Sequence, residues 1–277
     1  MTDAMADGPE RRSINIDRVT EVMKLGVRRT MAFIGSAERY AAIAPPTSLS
    51  LSTMAAFRVL PDPLPNETAE AYQKEFFLWS LGNALAELDR FLHLYLDQVW
   101  HVAELVEDGP ALRADRELVS IERQTNSAAK LDQVTNRIGA ADQQSPHWAT
   151  LANVRNCLMH QAGQVTPSKV NHDGRLRVSW RRLESAIETD DGERFVLNER
   201  DEPLYLENGG RAVVTVADHH VDFEVGEQVL IRAQHLSEIC LYYQMAAELI
   251  SRALVEHCRR KGLNIVGPAG AAPGEQA

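Results

Sequence analysis

The feature that most constrains the fold is a long apolar seam between residues 78 and 106. Apolar side chains recur there at alternating steps of three and four residues, at Leu78, Leu81, Leu85, Leu88, Leu92, Tyr95, Val99, Val102 and Val106. This spacing keeps one stripe of an α-helix turned towards a partner helix. Phe77, Phe91 and Trp100 widen the stripe. The seam therefore favours the core of an antiparallel helical bundle over a two-stranded coiled coil.

The seam helix and four further helical segments make up the predicted bundle. Apolar residues at helical spacing, together with start and stop signals, predict helices from about Asp17 to Ala44, Thr68 to Asp108, Asp115 to Ile138, Ser145 to Gly163 and Ala233 to Lys261. Pro45-Pro46 ends the first helix, because proline lacks the amide donor that a helix needs. Gly109, Gly139 and Gly262 are placed as C-terminal stops of later helices. The stretch from Pro46 to Asn66 is predicted to be a loop.

The period of the apolar residues changes from 3.6 to 2 between about residues 164 and 231, which predicts a β insertion. The predicted strands are Val170 to Trp180 around a turn at His172-Asp173-Gly174, Arg194 to Leu197, Pro203 to Leu206, and Arg211 to Val225. The expected fold class is mainly α, an antiparallel helical bundle with a small antiparallel β insertion before the last helix. One domain spans residues 14–263. Residues 1–13 and 264–277 are predicted to be disordered tails, because they are polar, small or rich in Gly and Pro.

Composition and charge exclude several classes of protein. The chain has 277 residues, three cysteines without a CxxC pair and a formal net charge of -10. This argues against a disulfide framework, a cysteine zinc site and a generic nucleic-acid coat. No apolar leader and no run of about 18 uncharged apolar residues occurs, so a cytoplasmic protein without membrane contact is expected. No Gly-rich phosphate loop, GxSxG or HExxH motif is present, and neither a metal nor a cofactor is expected.

The helix at residues 145–163 carries the main candidate site. At about 100° per residue, its apolar side chains occupy an arc of about 160°, and Arg155 falls in the middle of that arc. A guanidinium in an apolar face needs a partner or a polar cavity, because an unpaired buried charge costs about 3–5 kcal/mol. Asn156 and His160 are four residues apart and share the adjacent polar shoulder. His160 also lies in the last turn, where unpaired backbone carbonyls favour a positive charge.

Arg155-Asn156, three further residues and His160, followed by Gly163, resemble the RNxxxH signature of HEPN domains. The resemblance covers about Thr68 to Gly262. It implies a metal-independent endoribonuclease of toxin–antitoxin or phage-defence systems, acting as a homodimer on single-stranded RNA. An antitoxin or regulatory protein is a further expected partner. In this interpretation His160 is the general acid or base, Arg155 neutralises the reacting phosphate, and Asn156 positions the phosphate or orients His160.

Two alternatives to catalysis stay open at this point. The motif is also compatible with a non-catalytic HEPN-like module that binds nucleotide or RNA or serves as a protein-interaction scaffold. In the second alternative, Arg155, Asn156 and His160 form a polar network that only fixes helix packing. Arg155 and His160 diverge by about 140° on a regular helix, so a shared phosphate requires a two-fold axis beside this helix.

The best predicted RNA-binding surface follows the motif directly. Five cations meet one acid there, with one aromatic ring among them, and the candidate RNA contacts are Lys169, Arg175, Arg177, Trp180, Arg181 and Arg182. A solvated hairpin face is the alternative. The histidines of the long helix, His93 and His101, are interpreted as surface residues. Asp218 to Glu224 alternates as a strand does, so its polar residues are predicted to form an exposed face rather than a metal site.

Overall fold

The centre of the fold is one long helix, α2 (Asn66–Asp108), which carries the apolar seam. A computed structural model describes residues 15–41, 43, 45–108, 121–140, 145–198, 200, 202–205 and 209–263. Seam residues such as Leu81, Leu88, Tyr95 and Val99 are completely buried. Around α2 lie the helices α1 (Ile16–Ala41), α3 (Ser127–Ile138), α4 (Ser145–His160) and α5 (Ala233–Arg260). The predicted bundle core is thus built on α2.

The helix α1 packs along α2 through a close backbone approach at Gly26. A Cβ atom at this position would overlap the side chain of Phe91, so only glycine allows the two helices this separation. Met23 and Ile34 of α1 are buried on either side of this contact. The ring of Tyr95 extends across the core, where its hydroxyl donates to the carbonyl of Ala247 on α5 at 2.7 Å.

The β insertion is one three-stranded antiparallel sheet with strand order β4-β3-β5. The strands are β3 (Leu176–Glu188), β4 (Arg194–Val196) and β5 (Arg211–Phe223). Leu176 pairs with Phe223 at one end and Glu188 pairs with Arg211 at the other. Leu176, Val178 and Trp180 of β3 are buried, because this face of the strand packs on α4 and α5. The sheet therefore contacts the motif helix α4, which also packs on α2.

Several predicted boundaries are wrong. The segment between α1 and α2, predicted to be a loop, contains a hairpin of β1 (Ser48–Ser52) and β2 (Ala55–Arg58). The predicted hairpin at His172-Asp173-Gly174 is reduced to one bridge between His172 and Arg175. Residues 203–205 form no strand. Conversely, β3 continues to Glu188, beyond the predicted end at Trp180.

The helix α3 begins much later than the predicted Asp115. Residues 121–126 are not helical, and residues 111–120 lie outside the described residues. Asn126 caps the helix, because its side-chain oxygen accepts from the amide of Ala129 at 3.0 Å. Gly139 ends it in the left-handed conformation with φ of 70°, as predicted. The predicted disordered tails and the predicted stop at Gly109 lie outside the described residues.

The architecture is mixed α and β rather than a plain all-helical bundle. Five α-helices and two small antiparallel sheets are present in the part of the chain that the structure describes. Within those residues, no helix combines the length and the apolar character that crossing a membrane requires.

Candidate functional site

The motif helix α4 is fixed at its N-terminal half by β3 and α5. The hydroxyl of Thr150 accepts from the amide of Ser179 on β3 at 3.0 Å. Trp148 stacks on Tyr242 of α5, with ring centroids 4.7 Å apart, and meets the edge of Tyr243 at 4.5 Å. These contacts set the rotation of α4 about its axis. They therefore decide which way the residues of the motif point.

Arg155 is paired with a carboxylate from the central helix. Its Nη1 donates to Oδ2 of Asp89 on α2, and Ser127 of α3 donates to the other oxygen of the same carboxylate. The Asp89 side chain is 10% exposed and the Arg155 side chain is 24% exposed. The predicted need of Arg155 for a partner is thus met by Asp89. One carboxylate joins α2, α3 and α4.

Asn156 holds the guanidinium from the other side. Its Oδ1 accepts from Nη2 of Arg155 at 2.8 Å and from Nε at 3.2 Å. A guanidinium has five N–H donors, and these contacts with Asp89 and Asn156 use three of them. The other two donors make no hydrogen bond within the part of the chain that the structure describes. Asp89 and Asn156 together orient Arg155, and about a quarter of the Arg155 side chain is exposed to solvent.

His93 extends the network by one residue and is not a surface histidine, so that interpretation was wrong. Its Nε2 lies 3.1 Å from the hydroxyl of Ser127. Ser127 donates its hydrogen to Asp89, so His93 must be the donor to Ser127. Burial lowers the pKa of His93, and the nearby Asp89 carboxylate opposes this shift. A neutral imidazole in a defined tautomer thus supports the carboxylate that binds Arg155.

Two more buried polar groups lie close to this network. Lys130 of α3 is almost completely buried and its Nζ lies 2.6 Å from Oδ1 of Asp97. The hydroxyl of Tyr243 on α5 has a pKa well above its ordinary value, chiefly because of burial and also because of the Asp89 carboxylate. Neither group was predicted from the sequence. Asp89, His93 and Asp97 follow one another at four-residue steps along the seam edge, and that spacing was the available signal.

His160 is placed apart from the other two motif residues. It is the last residue of α4 and is exposed, and no contact joins it to Arg155 among the described residues. On this regular helix it lies about 7.5 Å further along the axis than Arg155 and about 140° around it. The structure therefore brings Arg155 and Asn156 together but leaves His160 separate within one chain.

Two of the predicted RNA contacts are buried, and the predictions for them were wrong. Trp180 has no exposed surface, and its Nε1 donates to Glu238 of α5 at 3.0 Å. Arg182 is also buried, and its Nη2 lies 3.5 Å from Glu184. Both residues share the face of β3 that packs on the helices. Neither ring nor guanidinium is available for stacking on RNA or for binding phosphate.

The other cations of this surface are partnered by acids of β5. Nε and Nη2 of Arg177 donate to both carboxylate oxygens of Asp222 at 2.8 and 2.7 Å. Arg175 lies 2.9 Å from Glu224, and Arg181 lies 3.4 Å from Asp218. The Arg177 guanidinium lowers the pKa of Asp222. The polar face predicted for residues 218–224 thus pairs with the predicted basic surface, and Lys169 lies outside this ladder on a short 3-10 turn.

Comparisons with known proteins identify no relative of this chain. Neither a family model, a curated protein nor a solved structure matches the chain. Among the described residues, no group of three or more His, Cys, Asp or Glu side chains is arranged to hold a metal ion. Cys157, on the far side of α4 from Arg155, is buried and donates to the carbonyl of Gln164 at 3.2 Å.

Proposed function

We propose that the chain is a metal-independent endoribonuclease of the HEPN type, with Arg155, Asn156 and His160 as its site residues. The observation that carries the proposal is the state of Arg155. Its guanidinium is oriented by Asp89 and Asn156, keeps two donors uncommitted, and shares a helix with an exposed histidine. A fixed cation can stabilise the charge of the reacting phosphate, and an imidazole can transfer a proton; both effects accelerate RNA transesterification.

The proposed reaction uses the 2′-hydroxyl of the RNA as its nucleophile. The bond from O2′ to phosphorus forms and the bond from phosphorus to O5′ breaks, leaving a 2′,3′-cyclic phosphate and a 5′-hydroxyl. The imidazole of His160 either gives its proton to the leaving O5′ while water takes the proton of O2′, or it removes the proton from O2′ while water protonates O5′. Arg155 stabilises the charge on the pentacoordinate phosphate through its two uncommitted donors. Asn156 holds Arg155 in place.

The proposal includes a homodimer. Within one chain, Arg155 and His160 diverge too far to bind the same phosphate. A two-fold axis beside α4 brings the arginine of one protomer near the histidine of the other, because both protomers contribute the same surface. The exposed position of His160 at the end of α4 supports this arrangement, since the side chain is accessible to a second chain.

An RNA-cleavage assay with matched variants tests the proposal. We expect the wild-type protein to cleave single-stranded RNA, and His160→Ala to reduce the rate by about 10²–10⁴-fold. His101→Ala serves as the control, because His101 is a partly exposed histidine of α2 that bonds to Glu122. Equal rates for wild type, His160→Ala and His101→Ala would reject the proposed role of His160.

A second candidate function is a non-catalytic scaffold or RNA-binding module. The observation that favours it is the same ion pair, because Arg155 already joins α4 to α2 and α3 through Asp89. In that case Arg155→Ala acts through stability alone, by leaving Asp89 without its cation, while His160→Ala changes neither stability nor cleavage. Measuring the stability of both variants beside their cleavage rates separates the two functions.

A further inference from the structure

An exposed aromatic pair on α2 lies close to the motif helix. Trp79 is 63% exposed and Phe76 is 40% exposed. Their rings stack on each other with centroids 6.1 Å apart and an interplanar angle of 27°. Of the four tryptophans, Trp148 and Trp180 are buried and Trp100 is partly buried. Trp79 therefore offers the accessible indole face of the described structure.

The direction of α4 relative to α2 places Trp79 near the C-terminal end of the motif. Arg155 contacts Asp89, whereas a Cβ atom on Gly82 would lie 3.1 Å from Leu158 and 3.2 Å from Met159. Increasing numbers on α4 thus correspond to decreasing numbers on α2, so the two helices are antiparallel. Trp79 lies about 15 Å along α2 from Asp89, and His160 lies about 7.5 Å along α4 from Arg155 in the same direction.

The aromatic pair and the polar residues of the motif lie on the same side of these two helices. On α2, the side chain of Asp89 faces α4. Viewed along the axis of α2, Trp79 is rotated from Asp89 by about 80° and Phe76 by about 140°, both in the sense in which the helix winds. Measured from Arg155, which faces α2, Asn156 is turned by about 100° and His160 by about 140° in the same sense. In two antiparallel right-handed helices, side chains that are rotated in this sense away from the helix–helix contact lie on the same side of the pair. The aromatic rings of α2 and the polar side chains of α4 therefore lie on one side.

We call the surface between these two rows of side chains the groove; its α2 side carries Phe76 and Trp79, and its α4 side carries Arg155, Asn156 and His160. Met159, which is exposed, lies next to Gly82 between the two rows. Asn83 and Arg90 lie on the same face of α2 as Trp79. On α4, the hydrogen bond to Asn156 orients the guanidinium of Arg155 towards the groove. The nearby acid Glu87 is neutralised by Arg29 at 2.6 Å and by Arg90 at 2.9 Å. The groove thus combines an aromatic platform with cationic and amide donors.

We propose that Trp79, backed by Phe76, is the stacking site for a nucleobase of single-stranded RNA bound in this groove. This inference rests on the proposed function and identifies the part of the substrate that the α2 side recognises. An indole face binds any base, whereas Arg155 binds the phosphodiester backbone. The distance of about 15 Å along the axis lets the base of one nucleotide reach Trp79 while a phosphate about two nucleotides further along the strand lies at Arg155. The occupant is a nucleic acid because charged and amide groups flank the rings, whereas the core of a protein interface is depleted of charge.

The test uses a 2′-O-methyl oligoribonucleotide, which binds like RNA but carries no nucleophile for cleavage. We expect Trp79→Ala to raise its Kd about tenfold, or about 1.4 kcal/mol, and Trp79→Phe to keep most of the affinity. Phe57→Ala, which removes an exposed ring from β2, is the control and should leave the Kd unchanged. Binding should also quench the fluorescence of the wild type more than that of Trp79→Phe.

The possible outcomes separate this inference from the proposed function. An unchanged Kd in Trp79→Ala, or no binding by the wild type, overturns the stacking site even if RNA is cleaved. Loss of affinity in Trp79→Ala with retention in Trp79→Phe supports it even if no cleavage occurs. If light scattering shows that Trp79→Ala converts a dimer into monomers, the groove is an interface between two copies of the chain and the stacking site is wrong.

Discussion

Arg155 of α4 and Asp89 of α2 form an ion pair in which the carboxylate is the more deeply buried partner. The same carboxylate accepts from Ser127, so three helices meet at one buried acid. Removing one partner from such a pair costs more than the pair contributes, because the remaining charge stays in a poorly solvated place. The motif arginine thus serves the packing of the bundle as well as any ligand that it binds.

The first prediction concerns this pair. We expect Asp89→Ala to lower the free energy of unfolding by about 3 kcal/mol, because Arg155 and Ser127 then lose their acceptor. The value lies at the lower end of the range for buried pairs, since Arg155 is partly exposed. Glu70→Ala, an exposed acid of the same helix, is the control and should change stability by less than about 0.5 kcal/mol. Equal effects of the two substitutions in urea unfolding would show that the pair does not hold the helices together.

The second prediction is a pH dependence of stability. Burial lowers the pKa of His93 below its ordinary value near 6.5, so the unfolded chain binds more protons than the folded chain as the pH falls. The contribution of His93 to the free energy of unfolding is therefore fully present above about pH 7. It decreases as the pH drops through about 6.5. His257 contributes in the same direction, because burial also lowers its pKa.

The variant His93→Gln isolates the contribution of His93. Glutamine keeps an N–H donor for Ser127 but does not titrate. The difference in unfolding free energy between wild type and His93→Gln should decrease between pH 7 and pH 5, by at most about 1.4 kcal/mol per pH unit. A constant difference over this range would mean that His93 is protonated equally in both states.

The sequence predicts the helices that carry the site, because their apolar spacing is local. The seam from Leu78 to Val106 and the start of α4 at Ser145 need no knowledge of the tertiary structure. The partner of Arg155 could not be predicted in the same way. Asp89 lies 66 residues away in the sequence, and only the packing of α4 against α2 brings the two together.

The errors in the β insertion have a different origin. Leu176, Val178, Trp180 and Arg182 alternate along β3 and therefore share one face. This period indicates that Trp180 is buried with its apolar neighbours, whereas the cations around it in the sequence suggested an RNA contact. The pairing of Arg177 with Asp222 depends on strand register, which the sequence alone does not determine.

The third prediction concerns two of the candidate RNA contacts that lie outside the groove, Lys169 and Arg175. Arg175 already faces Glu224, so we expect only a small effect when both cations are changed to Gln. The slope of log K against log salt for single-stranded RNA should fall by at most about 1.4, or about 0.7 for each lost phosphate contact. Arg211→Gln, at the opposite end of β5, is the control. An unchanged slope in the double variant removes this surface from the RNA-binding site.

The fourth prediction tests whether two protomers share the site. Arg155→Ala and His160→Ala are each expected to be inactive as homodimers. A mixed dimer keeps one intact arginine on one chain and one intact histidine on the other, so one of its two sites is complete. Random mixing should therefore restore about one quarter of the wild-type rate. If mass spectrometry confirms mixed dimers and cleavage stays at background, the shared site is wrong.

The most direct test of the central claim is the chemical nature of the RNA ends formed in excess EDTA. The account predicts that the wild type cleaves single-stranded RNA under this condition and leaves a 2′,3′-cyclic phosphate and a 5′-hydroxyl, because the nucleophile belongs to the substrate and His160 transfers the proton. His160→Ala, shown by circular dichroism to be folded, should yield neither end. Products with a 5′-phosphate, or cleavage that EDTA abolishes, would contradict the proposed mechanism.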